Sequence, residues 1–382
     1  MQQIIRWAWV ALLWMGCRAK DPVYYVERIE TRLERLVKYN RSLGISYALK
    51  LDSIDISGAY GKPELGSGQT VDPTHQFRIA SITKPLTATA IMQLIEADSI
   101  GLDTKLNRFF PAYPLGEDIT LYQLLSHTSG IPNWYEAAMP ADQPPDFPMC
   151  PSPHQYLAHM EPASHFTPGT AFAYSNSGYV LLGEIIELVS GLPYATYLQQ
   201  HIFAPAGMTQ TEMEYIERRP GENWVRGYAF NPEADPPFVA PESYHMPFSA
   251  GGLRSTPHDL QLFLDALLHG KLLPADRVEE MMRYATLADG RPVYENPYTP
   301  DGTPPQFPSN VRKFGYGLGF EIVENFGMKE VFHGGGIAGF NGMLIYIPHN
   351  RLRLTILSNT EDGIMPELME IEQAAISIER NE

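Results

Sequence analysis

The sequence predicts an α/β (α+β) fold: an antiparallel sheet built from both ends of the chain, flanked by helices, with an inserted, mostly helical region. Three observations predict it. Strand-like segments cluster at the two ends, at 45–51 early and at 320–323, 343–347 and 352–357 late. Segments with apolar residues at helical spacing fill the middle. The late strands follow one another across short turns, which argues for antiparallel pairing. The expected division is a leader at 1–16, a sheet domain from 17–80 and 310–382, and an inserted region at 81–309.

The chain has 382 residues, 44% of them hydrophobic and 19% charged, without low-complexity runs, so it has the means to bury a sizeable core. Its 33 prolines and 31 glycines predict long ordered loops. The net charge of −16 and the lack of a Lys/Arg cluster argue against nucleic-acid partners.

Taken in order, residues 4–15 are apolar except for Arg6, too few to span a bilayer, and end at Gly16-Cys17. This resembles a bacterial lipoprotein processing site. It implies an exported protein on the periplasmic or cell-envelope face, held to the membrane by a lipid on Cys17. There are two cysteines. If Cys17 carries lipid, Cys150 is alone; a Cys17–Cys150 disulfide is the competing reading. Residues 24–40 place Val26, Ile29, Leu33 and Leu36 at helical spacing, and 45–51 alternate as a strand. A helix is expected from Ser81 to Ile100, stopped by Gly101, with Pro85 tolerated in its first turn. Shorter helices are expected at 118–126 and 178–189. Thr256-Pro257-His258-Asp259 reads as a cap opening a helix to Leu268, and a last helix spans 365–379. The stretches 132–170 and 289–309 read as irregular and proline-rich.

Three segments carry residue types suited to chemistry. In Ser81-Ile82-Thr83-Lys84 the hydroxyl and the amine share one face at a helix start, where backbone N–H groups favour developing negative charge. A serine becomes nucleophilic when a neighbour takes its proton, and a lysine does so only with a lowered pKa. Alone, the spacing is equally that of a helix cap with a solvated lysine. In Tyr174-Ser175-Asn176, a turn before a helix, Tyr174 is suited to relaying a proton and Asn176 to binding a substrate amide; a polar turn is the bland reading. His333-Gly334-Gly335-Gly336 is expected on an edge strand facing a cleft, where glycines admit close approach and a backbone N–H, with that of Ser81, forms an oxyanion hole. A simple bulge is the alternative.

In this order, and with the surrounding Leu124-Leu125-Ser126-His127-Thr128-Ser129-Gly130, Phe166-Thr167-Pro168-Gly169, Ala250-Gly251-Gly252-Leu253-Arg254-Ser255-Thr256 and Tyr316-Gly317-Leu318-Gly319-Phe320, the three segments resemble the serine β-lactamase and penicillin-binding-protein superfamily. The likeness is to its class C-like branch, which includes D-amino-acid-directed peptidases and carboxylesterases, and it covers residues 25–360. The resemblance implies a serine hydrolase that cleaves an amide or ester of a small-molecule or peptide substrate through an acyl-enzyme on Ser81. Lys84 and Tyr174 share acid/base duty, with the first base left open. Asn176, His333 and Gly335 would contact substrate, and the N–H groups of Ser81 and Gly336 would form the oxyanion hole. His127 reads as structural. No cofactor or metal is required.

The strand departs from the superfamily in one respect. His333 and Gly334 stand where lactam-binding relatives commonly carry Lys-Thr. The fixed charge and hydroxyl that hold a substrate carboxylate are gone, so slow or absent β-lactam turnover is expected. A true β-lactamase and a non-catalytic penicillin-binding sensor remain the alternatives. A metallohydrolase is disfavoured because His154, His159 and His165 lack His-Glu-x-x-His spacing.

Overall fold

The computed structural model describes residues 22–132, 164–214, 223–229, 238–239, 247–299 and 311–378. The leader, Cys17, Cys150, His154 and His159 lie outside them. The main sheet contains β1 (Gly44–Leu51), β2 (Ile54–Gly61), β3 (Val311–Tyr316), β4 (Glu321–Asn325), β5 (Met328–Ile337), β6 (Phe340–Ile347) and β7 (Leu352–Ser358). Their order is β2-β1-β7-β6-β5-β4-β3, all neighbours antiparallel. Five of these contacts join consecutive strands. The sixth, β1 on β7, joins the two ends of the chain, with Ile45 opposite Ser358 and Lys50 opposite Arg353. Two like charges directly opposite each other are unfavourable. Asp265 answers this by pairing with both Lys50 and Arg353.

Helices cover both faces. On one lie α1 (Pro22–Lys38) and the C-terminal α5 (Met365–Ile376). They bury Val26, Ile29, Leu33 and Leu36 with Ile371, Ala374 and Ala375 against Tyr47, Leu49, Ile345, Leu354 and Ile356. On the other lies α4 (Pro257–Leu268), whose Gln261 donates to the Ala48 carbonyl and the Thr355 hydroxyl. A strand covered on both sides has no solvent face, so β7 is buried throughout. The edge strand β2 instead exposes Asp55 and Ser57 in alternation with half-buried Ile54 and Ile56.

The helical region centres on α2 (Thr83–Glu96) and α3 (Asn176–Ser190). Leu86, Ala90 and Ile91 of α2 and Leu182, Ile185 and Ile186 of α3 share one large core with Phe340, Leu344 and Leu357 of the sheet. Nearly every α2 side chain is buried, as in a helix enclosed on all sides. The short helix Leu121–Leu125 is opened by a capping box between Thr120 and Gln123. Among the described residues no helix is long and apolar enough to cross a membrane.

Two expectations are corrected here. The helix expected from Ser81 starts at Thr83 and ends at Glu96; a 3-10 turn, Ala80–Ile82, precedes it. β5, expected at an edge, is an inner strand. Its pairing with β4 nevertheless stops at Phe332 opposite Glu321, so from His333 onward β5 has β6 as a neighbour on one side only. The glycines therefore lie on a locally free edge within an inner strand.

A second, small sheet leads into the Ser81 turn. It pairs Phe77–Arg78 with Leu253–Ser255, which also pairs with Glu212–Met213. Arg78 and Arg254 are directly opposite and share the buried Glu214, each at 2.8 Å. Removing one member of such a group leaves buried charge unpaired. Glu214→Ala is expected to lower the unfolding free energy by about 3–5 kcal/mol. Glu64→Ala, at the more exposed pair with Arg226, should change it by less than about 1 kcal/mol. Urea midpoints that do not separate the two variants would refute this.

Candidate active site

The small sheet positions Ser81 through its neighbours. The Ile79 N–H donates to the Leu253 carbonyl at 3.0 Å, and the Leu253 N–H donates to the Thr83 hydroxyl at 3.3 Å. Between these anchors Ala80 takes a positive φ of 45°, which a residue with a Cβ adopts only under constraint. The chain then turns through Ala80–Ile82 into α2. Ser81 is thereby left partly exposed at a helix start, where the first N–H groups lack intrahelical acceptors. From the other side β5 presses on the turn. A Cβ on Gly335 would lie 2.3 Å from the Ile79 carbonyl oxygen, so glycine alone permits this approach.

Lys84, one turn on, has 0% exposure. Burial holds its amine well below the usual lysine pKa. A neutral amine has two N–H donors and one lone pair. Nζ lies 2.7 Å from Asn176 Oδ1, 2.7 Å from the Ala250 carbonyl and 3.1 Å from Ser81 Oγ. The first two atoms can only accept. Both N–H groups are thus committed, and the lone pair is left facing the serine hydroxyl.

Tyr174 and Asn176 project from the turn that opens α3, where Ser175 Oγ accepts from the Gly178 N–H at 3.2 Å. The Tyr174 ring centroid is 4.8 Å from Lys84 Nζ. Behind it sits His127, buried, with a positive φ of 58°, its ring centroid 4.3 Å from that of Tyr174. His127 Nδ1 accepts the Ser175 N–H at 3.0 Å, so the ring proton is on Nε2. Burial and the nearby Lys84 push its pKa well down, keeping the ring neutral. His127 thus holds the turn from which Tyr174 and Asn176 reach the site. The sequence reads His127 as structural; which backbone group it holds is visible only in the fold.

The structure brings Ser81, Lys84, Tyr174 and Asn176 together. His333 and Gly335 do not reach substrate space directly. His333 is 1% exposed. Its Nε2 lies 2.9 Å from the Tyr316 hydroxyl, and its Nδ1 lies 2.7 Å from the Gly334 carbonyl. That carbonyl can only accept, so Nδ1 carries the proton and Tyr316 donates to Nε2. Burial and Lys84 lower the His333 pKa to about 3, so it is an uncharged strut joining β3 to β5. Gly335 faces Ile79, and its carbonyl accepts from Asn341 Nδ2 at 3.3 Å on the β6 side.

Gly334 and Gly336 have the opposite orientation, since backbone groups alternate in direction along a strand. The Gly334 N–H points off the free edge and donates to Glu321 Oε1 at 3.1 Å. The Gly336 N–H, two residues on, points to the same side, and a Cβ on Gly336 would meet nothing within 4 Å. Glu321 is a site residue that the sequence reading missed. It directly follows the quoted segment ending at Phe320, and only the β4–β5 register places it beside the glycines.

The chain as a whole is similar to known proteins. The pattern of the family described as Beta-lactamase matches residues 38–377. A penicillin-binding protein of Bacillus subtilis (strain 168) is 28% identical over 88% of this chain and 72% of its own length. A D-aminopeptidase of Cereibacter sphaeroides (strain ATCC 17023) is 26% identical over 83% of this chain, which spans 57% of that enzyme. Among solved structures, the D-amino acid amidase of Ochrobactrum anthropi SV3 complexed with L-phenylalanine amide superposes with a TM-score of 0.76 at 26% identity, covering 92% of this chain and 98% of the other. With the family pattern spanning sheet, nucleophile turn and glycine strand alike, the chain belongs to the beta-lactamase family and is a serine hydrolase of that family.

Proposed function

We propose that this hydrolase cleaves amide bonds adjacent to a D-amino acid, in small amides or short peptides, with Ser81 as nucleophile and Lys84 as the base of acylation. The observation that carries the reading is the Lys84 lone pair aimed at Ser81, with both amine N–H groups committed elsewhere. The Ser81 proton passes to Lys84 Nζ as Oγ adds to the carbonyl carbon. The oxyanion forms between the N–H groups of Ser81 and Gly336. On collapse the C–N bond breaks, and the leaving amine takes a proton through Tyr174, which lies over Lys84. Water then hydrolyses the acyl-enzyme along the same proton route. The D-configured substrate class rests on the similarity to the D-aminopeptidase and the D-amino acid amidase. Export and a lipid on Cys17 belong to the same reading and rest on the apolar run before Gly16-Cys17.

Purified protein is expected to release ammonia from D-alaninamide or D-phenylalaninamide and to lose this activity in Ser81→Ala. Equal turnover by the two proteins, or turnover confined to β-lactams, would overturn the assignment.

Lys84 must be uncharged to accept a proton. Activity should therefore fall as pH drops through its lowered pKa and reach its plateau well below pH 10.5, the ordinary lysine value. Lys84→Arg, permanently charged, should reduce kcat by about 100- to 10,000-fold at every pH. A wild-type profile still climbing at pH 10 would contradict the neutral amine.

The glycines rank differently. Gly335→Ala should push β5 off the Ser81 turn and reduce kcat/KM by about 100-fold. Gly336→Ala, whose Cβ enters open space, should remain at least about tenfold more active than Gly335→Ala by the same assay.

A further inference from the structure

An N–H group at the free edge of a strand is a ready site for an acceptor on a bound substrate. At Gly334 that group is already taken by Glu321 Oε1 at 3.1 Å. Glu321 is the first residue of β4, at the point where pairing with β5 ends, so its side chain reaches along the unpaired edge. Its side chain keeps 18% exposure. The Gly336 N–H lies two residues further along the same edge, about 7 Å away at the usual strand rise. A carboxylate is therefore built into the edge that leads away from the proposed oxyanion position.

The direction in which substrate extends follows from Tyr174. Its ring lies 6.3 Å from both the His333 and the Tyr316 rings. The proton donor to the leaving group is thus at the His333–Gly334 end of the strand, and the leaving group departs beside Glu321. Among the described residues, the groups facing Glu321 form no salt bridge with it other than the approach of His333, and Lys84 acts on it only as a weaker pull than burial. From β5 the nearest titratable group is His333, with Nδ1 at 3.5 Å, and that ring is uncharged. From α2 comes the neutral amine of Lys84, and from β3 the phenol of Tyr316, whose pKa burial raises well above 10.

Building on the amide-hydrolase reading, we propose that Glu321 is a specificity-determining residue that turns away substrates whose leaving group carries a carboxylate. The carboxylate occupies the donor that such a leaving group would use and repels its charge. The site thereby favours terminal amides and neutral leaving groups over free C-terminal dipeptides and over β-lactams, which carry a carboxylate beside the scissile ring. Burial pushes the Glu321 pKa up to about 7, against the pull of the Gly334 N–H and of Lys84. The carboxyl is ionised above that pH and protonated below it, so discrimination should strengthen as pH rises through it.

The test compares D-Ala-Gly with D-Ala-glycinamide, a pair differing by one carboxylate, by chromatographic release of D-alanine. Wild-type protein should prefer the glycinamide substrate by at least about tenfold in kcat/KM at pH 8.5 and less strongly at pH 6. Glu321→Gln, which keeps an oxygen for the Gly334 N–H, should reduce the preference to about threefold or less and remove its pH dependence. Lys84, His333, Tyr316 and Tyr174 act on both substrates, so their titration cancels in the ratio. Labelling of Ser81 by a fluorophosphonate reports on the nucleophile and the fold of each protein. Normal labelling with an unchanged preference in Glu321→Gln, or a wild-type preference that is flat with pH, would overturn the role of Glu321 alone. Absence of Ser81 labelling in wild-type protein would overturn the hydrolase reading and this proposal together.

Discussion

The site depends on one constraint: the amine of Lys84 is sealed from water with two fixed acceptors and one serine hydroxyl around it. A charged ammonium there would have lost its hydration for two neutral oxygens and a hydroxyl, so the neutral form prevails. Once the amine is neutral, donor counting leaves a single direction for its lone pair. The surroundings serve this arrangement. Ala250 is held by the segment that continues into the small sheet, and Asn176 stands at the start of α3. The turn carrying Ser81 is stretched into a positive φ at Ala80 between the bonds of Ile79 and Thr83 to Leu253. Amine and hydroxyl are therefore referenced to one piece of backbone, the 250–255 segment, and not merely to each other.

The second requirement is a strand that meets the nucleophile turn without a side chain in between. Three consecutive glycines answer three different needs. Gly335 allows contact with Ile79, Gly336 leaves the cleft open, and Gly334 presents its N–H to Glu321. Only the first is a steric necessity. β5 is held in place from behind by β6 and through His333 by the Tyr316 hydroxyl of β3.

The general architecture was legible in the chain because periodicity and turn chemistry are local signals. The α1 stripe of Val26, Ile29, Leu33 and Leu36 and the Thr256 cap of α4 are read directly from neighbouring residues. Ser81, Lys84, Tyr174 and Asn176 were legible because their spacing and order resemble a known superfamily. What was not legible depends on pairing between distant segments. The inner position of β5, the inward turn of His333 and the arrival of Glu321 at Gly334 all follow from strand order and register, to which composition is blind. His127 was read as structural, but its partner was hidden for a related reason. Its function lies in a bond to Ser175, 48 positions away.

The pairing of β1 with β7 brings Ile45 against Ser358. During synthesis the first strand of the sheet must wait until residues 352–358 have emerged before its inner partner exists. Such long-range closure is slow, and the waiting edge of β1 is open to mispairing meanwhile. Hydrolytic competence therefore waits on the pairing of two strands that are far apart in the sequence. A chain halted before β7 would display the nucleophile segment without the sheet that gives it a working geometry.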